Sequence, residues 1–71
     1  MKLEVIRTKR ACNIYAVTSA SVETIDHVEG DEIAIILPGS FKNYLWHSFV
    51  NVIFLNVPKY GWLSTDDFLA L

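Results

Sequence analysis

The 71-residue chain has one cysteine, three glycines, two prolines and no long apolar run. Its single cysteine, Cys12, excludes an internal disulfide and fits a reducing compartment. No stretch approaches the ~20 apolar residues of a transmembrane helix, so no membrane partner is expected. The first ten residues also lack the apolar centre of a signal peptide. We therefore expect a cytoplasmic protein.

The size and charge of the chain limit its domain number and its partners. A chain of this length forms one small domain that buries only ~60% of its unfolded surface. Yet 52% of its residues are hydrophobic, and its formal net charge is −2. The apolar excess favours a surface that a partner covers. The acidic balance makes nucleic acid an unlikely partner.

The chain offers little for catalysis or metal binding. His27, His47 and Cys12 are widely spaced and form no zinc-ligand pattern. No nucleophile has an orienting acid beside it, and the scattered glycines form no phosphate-binding loop. The adjacent Asp66 and Asp67 are explained by capping of a short helical turn. We therefore predict no enzyme activity, no cofactor and no metal site.

Alternating and β-branched patterns predict several strands. Residues 2–9 alternate apolar and charged positions, which predicts an N-terminal edge strand. Residues 11–17, 48–55 and 60–63 favour further strands. Four of the six basic residues lie at the N-terminus, namely Lys2, Arg7, Lys9 and Arg10.

The pair Gly30-Asp31 predicts a tight turn. Glycine adopts positive φ without steric cost, and aspartate hydrogen-bonds to nearby backbone amides. Residues 32–37, which include the β-branched Ile33, Ile35 and Ile36, follow as a strand, and Pro38-Gly39 stops that run. The turn is therefore followed by a strand that is apolar at nearly every position.

Two segments remain ambiguous in sequence. Residues 21–29 carry Val22, Ile25 and Val28 at helical spacing, with Ser21 as a cap, so an α+β domain with a short helix is an alternative. Residues 40–47 combine helical spacing with large aromatic side chains. A long central loop that presents those aromatics is the interpretation that accompanies an all-β fold.

Three segments, in order, resemble the Src homology 3 (SH3) family. Residues 24–33, centred on Gly30-Asp31, resemble its diverging turn. Residues 13–19 fall on its Ala-Leu-Tyr-Asp-Tyr segment, with Ile14 and Tyr15 as matches. Residues 61–68, Gly-Trp-Leu-Ser-Thr-Asp-Asp-Phe, are similar to the closing segment of bacterial SH3-like domains. The likeness covers about residues 13–68.

The resemblance implies a single SH3-like domain over residues 1–71, with the extra strand at 2–9. Its expected fold is mainly β, a small antiparallel barrel of five to six strands with a short 3₁₀ turn. Its implied function is noncatalytic protein–protein interaction, as an adaptor, inhibitor or small subunit. The partner would be a protein or peptide, basic or proline-rich in character.

An acidic loop and an aromatic cluster are the predicted contact surface. The partner-binding residues are Tyr15, Glu23, Asp26, Tyr44 and Trp46. The groove departs from the family pattern, because Val17 replaces a tyrosine and Ser64 replaces a proline. Two alternatives remain: a structural subunit or homo-oligomer with its apolar surface buried, and nucleic-acid binding through the basic N-terminal strand.

Overall fold

A computed structural model describes residues 3–71, which form seven β-strands and one 3₁₀ turn. The strands are β1 (Glu4–Thr8), β2 (Cys12–Val17), β3 (Val22–Val28), β4 (Ile33–Tyr44), β5 (His47–Phe54), β6 (Tyr60–Ser64) and β7 (Phe68–Ala70). The 3₁₀ turn Thr65–Asp67 joins β6 to β7. The fold is mainly β, as predicted. Lys2, which begins the predicted N-terminal strand, lies outside the described residues.

All seven strands belong to one antiparallel sheet in the order β3-β2-β6-β5-β4-β1-β7. Pairing within the described residues leaves β3 and β7 at opposite ends, so the sheet is not closed. The predicted barrel of five or six strands is therefore wrong in strand number and closure. The sheet differs from the predicted barrel in two ways. A further strand, β7, pairs with β1, and β4 is longer than expected, with 12 residues.

Residues 21–29 are extended, so the alternative of a helix there is wrong. The strand β3 pairs with β2 along Val22–Val28, with a register shift between Ile14 and Tyr15. β-Branched residues disfavour a helix in this segment, and β2 supplies the backbone hydrogen bonds that a helix would otherwise have made internally. Of the three residues at helical spacing, Val28 is buried and Ile25 is 57% exposed.

The segment predicted as a long central loop is instead a β-hairpin. β4 continues past Pro38-Gly39 after a register shift and pairs with β5 as far as Tyr44 opposite His47. Leu45 and Trp46 form the two-residue turn, and Leu45 has a φ of 56°. Left-handed backbone is costly for leucine because its Cβ crowds the backbone. Both turn residues are strongly exposed.

The core lies on one face of the sheet. Ile6 pairs with Ala34, and Ala34 pairs with Phe54; all three are at most 4% exposed. The rest of the core comes mainly from β2, β5 and β6, through Cys12, Ile14, Val50, Val52 and Leu63. From Val50 to Phe54, core-facing and outward-facing residues of β5 alternate with the two-residue period of a strand, while the buried Phe49 projects to the other face.

The Glu29–Glu32 turn forms, but its two central residues exchange the expected roles. Asp31, rather than Gly30, has the positive φ, at 66°. A Cβ on Gly30 would lie 3.0 Å from the Arg10 backbone, so glycine is needed for close chain approach. Thr8 fixes the turn, because its carbonyl accepts from the Asp31 N–H and its hydroxyl accepts from the Glu32 N–H.

Gly61 allows β6 to approach β2. A Cβ at this position would overlap the Cγ2 of Ile14, and the φ of Gly61 is 150°. Within residues 3–71, no helix has the length and apolarity needed to cross a membrane.

We expect Gly61→Ala to lower the free energy of unfolding by about 3 kcal/mol, the combined order of overpacking and backbone strain. Gly39→Ala is the control, because Gly39 also has a positive φ of 72° but has nothing within 4 Å of an added Cβ. It should cost about 1 kcal/mol, from φ alone. Urea denaturation measures both; equal losses would show that contact with Ile14 is unimportant.

Leu45→Gly should stabilise the fold by roughly 0.5–1 kcal/mol, because glycine adopts positive φ without the leucine penalty. Trp46→Gly, at the next residue of the turn, should give no comparable stabilisation, because Trp46 has a negative φ. Thermal unfolding of both variants compares the two positions. A lower melting temperature for Leu45→Gly would contradict this account of the turn.

Candidate aromatic groove

An open groove of about 480 Å³ lies between the β4–β5 hairpin and the 3₁₀ turn. Its aromatic wall combines Tyr15 from β2, Tyr44 from β4, and His47 and Phe49 from β5. The Tyr15 and Phe49 rings meet edge to face, with centroids 5.4 Å apart and an interplanar angle of 73°. Phe49 is only 4% exposed, so the half-buried rings of Tyr15 and Tyr44 are the aromatic surfaces that an entering group can contact.

Hydrogen bonds hold Tyr44 and the neighbouring loop in place. The Tyr44 hydroxyl donates to the Ala20 carbonyl at 3.1 Å, which ties the β4–β5 hairpin to the loop between β2 and β3. Within that loop, the Thr18 hydroxyl accepts from the backbone N–H groups of Ala20 and Ser21. Two segments that are distant in sequence are therefore joined beside the groove.

The opposite wall carries charge. The Ser64 hydroxyl accepts from the Asp66 N–H at 3.3 Å and caps the 3₁₀ turn. Arg10 forms an ion pair of 3.2 Å with Asp67, whose side chain is only 16% exposed. Asp66 is exposed, and its carboxylate makes no ion pair with any residue from 3 to 71. The groove thus contains one neutralised acid and one free acid.

The structure brings together two of the five predicted contact residues. Tyr15 and Tyr44 line the groove. Trp46 stands at the hairpin tip, 92% exposed, and does not line it. Glu23 and Asp26 lie on β3, outside the groove lining, where they pair in register with Ala16 and Ile14 of β2. The predicted residues therefore do not form a single surface.

Asp26 is already engaged within the protein. Its carboxylate accepts from the His27 N–H at 2.8 Å and forms an ion pair of 3.2 Å with Lys59. The hydrogen bond from His27, followed by that from Lys59, lowers the pKa of Asp26 below its ordinary value. A partner cation would have to compete with Lys59 for this carboxylate.

Sequence reasoning missed Phe49 and Asp66 as groove residues. Phe49 occupies a strongly β-forming run, so it was predicted only as part of a strand. Asp66 was interpreted as a helix-capping acid, and its backbone N–H does bond to the Ser64 cap. The signal that could have found both was distance across the sheet, since Phe49 pairs with Ser64, two residues before Asp66.

Two further side chains differ from their sequence predictions. His27 stands where the resemblance implies a core aromatic and therefore predicts a packed histidine, but its side chain on β3 is 65% exposed. The place of Trp62 after Gly61 in a strand predicts a mostly buried side chain, but Trp62 is half-buried on the outer side of the sheet, with the Lys42 Nζ 4.8 Å from its ring centroid. Both lie on strand positions whose side chains alternate away from the core.

The basic N-terminal residues are partly neutralised within the fold. Arg7 forms an ion pair with Asp31 at 3.4 Å, and Arg10 forms one with Asp67. Across the described part of the chain, no group of three or more His, Cys, Asp or Glu side chains is placed to hold a metal ion.

The comparisons with protein-family models, curated proteins and solved structures found no match to this chain.

Cys12 is buried in the core, and burial is the main cause that raises its thiol pKa from 9.0 to about 11. The nearby Asp67 raises the pKa further, and Arg10 partly opposes it. Since the folded pKa lies above the unfolded one, the thiol stabilises the fold below pH 9. That contribution is lost as pH rises from 9 to about 11.

We therefore expect Cys12 in the folded protein to react with a disulfide reagent about 100-fold more slowly at pH 8 than in the unfolded chain, from thiolate fraction alone. The rate should rise with an apparent pKa near 11. The same reaction in concentrated urea is the control. Equal rates in both conditions would show that the thiol is accessible and ionised in the fold.

Proposed function

We propose that this chain is a noncatalytic interaction module that binds a segment of a partner protein in the aromatic groove. One observation carries the proposal: the rings of Tyr15, Tyr44 and Phe49 and the free carboxylate of Asp66 line the same open cleft. Aromatic walls supply contact area, and a free charge supplies orientation. The function is adaptor-like, with the partner held rather than chemically altered.

The shape of the wall suits an extended, proline-rich segment. A polyproline II helix is preformed and has no internal hydrogen bonds, so it loses little entropy when it packs against aromatic rings. Tyr15 packs edge to face on the buried Phe49, and Tyr44 is held in place through Ala20. A pre-organised wall of this kind lowers the entropic cost of binding.

The charge of the groove favours a basic segment. Asp66 is exposed, while Asp67 is already paired with Arg10. The formal net charge of −2 adds a weak attraction for cationic partners. The resemblance gave the acidic role to Glu23 and Asp26, but Asp26 is engaged with Lys59. In this proposal Asp66 takes that role.

An SH3-like fold is part of the same proposal. Three features support it: the long β2–β3 hairpin that precedes Gly30-Asp31, the β4–β5–β6 succession of paired strands, and the 3₁₀ turn after β6. The resemblance implied a 3₁₀ turn at this last position. The open sheet is the departure from the family's barrel.

The test is an amide NMR titration of labelled protein with a basic proline-rich peptide. Saturable shifts should map to Tyr15, Tyr44, Phe49 and Asp66, and Tyr44→Ala should raise the peptide Kd by about tenfold, as expected for a lost aromatic contact. Trp46→Ala removes an exposed aromatic only two residues away but outside the groove. If Trp46→Ala weakens binding more than Tyr44→Ala, the contact surface is the hairpin tip.

A separate pair of variants tests the contribution of charge to peptide binding. Asp66→Asn should raise the Kd about threefold, within the ~0.2–1 kcal/mol range of an exposed ion pair, and added salt should reduce that difference. Glu29→Gln removes the same charge from an exposed side chain outside the groove. Equal effects of the two variants would show that only overall charge matters. No saturable shift at all would refute the groove as a peptide site.

A further inference from the structure

A row of apolar side chains crosses the sheet on the side away from the core. Val5 pairs with Ile35, Ile35 with Ile53, and Ile53 with Tyr60. The β1–β7 register continues to Leu71, whose N–H donates to the Val5 carbonyl at 3.0 Å. Directly paired residues of antiparallel strands project from the same face. These five side chains therefore form one continuous row.

A second row lies two residues along the strands, on the same face. Arg7 pairs with Leu69 on one side and with Ile33 on the other. Leu55 follows, since its N–H donates to the Ile33 carbonyl at 3.0 Å. The two rows together are here named the outer apolar face. It spans β1, β4, β5 and β6 and the C-terminal residues that pair with β1.

The outer apolar face is accessible. Tyr60 is 75% exposed, Leu71 69%, Leu69 57%, Leu55 53% and Ile53 45%. In an antiparallel sheet with one face on the core, the other face is normally polar. Here both faces carry apolar side chains, and the two rows contribute eight of the chain's hydrophobic residues. Contiguous exposed apolar surface of this kind marks an interaction site.

We infer that the outer apolar face binds a second copy of this chain, in a contact independent of the aromatic groove. The local charge favours a second copy over an acidic or basic partner. In a two-fold contact the same patch meets itself, so an uncompensated charge would repel its own symmetry mate. Arg7 is the one charged residue of the two rows, and Asp31 pairs with it at 3.4 Å. A neutral, self-compensated patch matches itself and offers no charge to an acidic or basic partner.

The size of the chain also fits a dimer. A standard interface covers ~800 Å² of each partner. The described residues have 4685 Å² of accessible surface, so such an interface takes about a sixth of it. Half of the ten exposed large hydrophobic residues lie in the two rows. They form the apolar centre, and two sheets can pack face to face about 10 Å apart.

Sedimentation equilibrium from micromolar to millimolar concentration tests the inference. We expect a mass that rises to twice 8.1 kDa. Ile53→Lys and Leu71→Lys should each raise the dimer Kd at least about tenfold, because a lysine would be buried opposite apolar side chains. Leu71 follows the last strand, so its variant keeps the test valid if Ile53→Lys fails to fold. Far-UV circular dichroism checks folding.

Phe41→Lys is the matched control. Phe41 is 59% exposed but pairs with the buried Val50, so it lies on the opposite side of the sheet. It should leave the dimer Kd unchanged. In a mixture of labelled and unlabelled chains, intermolecular nuclear Overhauser effects should involve the Tyr60 ring and the Ile53 methyls.

Three results would overturn the inference: a monomer at millimolar concentration, equal dissociation by Phe41→Lys and Leu71→Lys, or intermolecular contacts confined to the aromatic groove. A monomer that binds neutral lipid vesicles, and loses that binding in Leu71→Lys, would assign the face to a membrane instead. The peptide titration of the groove is repeated with the Leu71→Lys variant. Unchanged peptide binding there separates failure of the dimer from failure of the proposed function.

Discussion

The contact between Gly61 and Ile14 joins the two parts of the sheet. β2 pairs with β6 at a single register position, Tyr15 opposite Trp62, so few backbone bonds link the β2–β3 hairpin to the remaining strands. The absent side chain of Gly61 lets the Ile14 methyl pack directly on β6. Because Ile14 is fully buried, this contact also anchors β2 in the core.

The aromatic groove is a consequence of that anchor. Tyr15 follows Ile14 and projects to the other face, where its ring meets Phe49 of β5. The register shift between Ile14 and Tyr15 offsets β3 against β2 at the same point. Tyr44 then closes the wall through its bond to Ala20. Pairing of β4 with β5 positions Tyr44 and Phe49, and packing at the β2–β6 junction brings Tyr15 beside Phe49.

The acidic residues of the chain differ in whether they form ion pairs within the fold. Asp26, Asp31 and Asp67 each lie within ion-pair distance of a lysine or arginine. Exposed ion pairs contribute little to stability, but they neutralise charge locally. Asp66 is left as the unpaired carboxylate of the groove, within the part of the chain that the structure describes. The groove and the outer apolar face thus differ in character: one has a free charge, and the other has a self-compensated one.

Local features of the chain determined β1, β2, the first part of β4, β5 and β6, as well as the Glu29–Glu32 turn and the helical turn after Ser64. β-Propensity and alternation act over a few residues, which is why β5 and β6 could be predicted from sequence. The tertiary structure decided the path of residues 40–47, because only pairing with β5 makes them a strand rather than a loop or helix. It also decided which aromatics and acids meet. Phe49, Tyr15 and Asp66 come together through the register of β2, β5 and β6, and register depends on contacts between residues far apart in the chain.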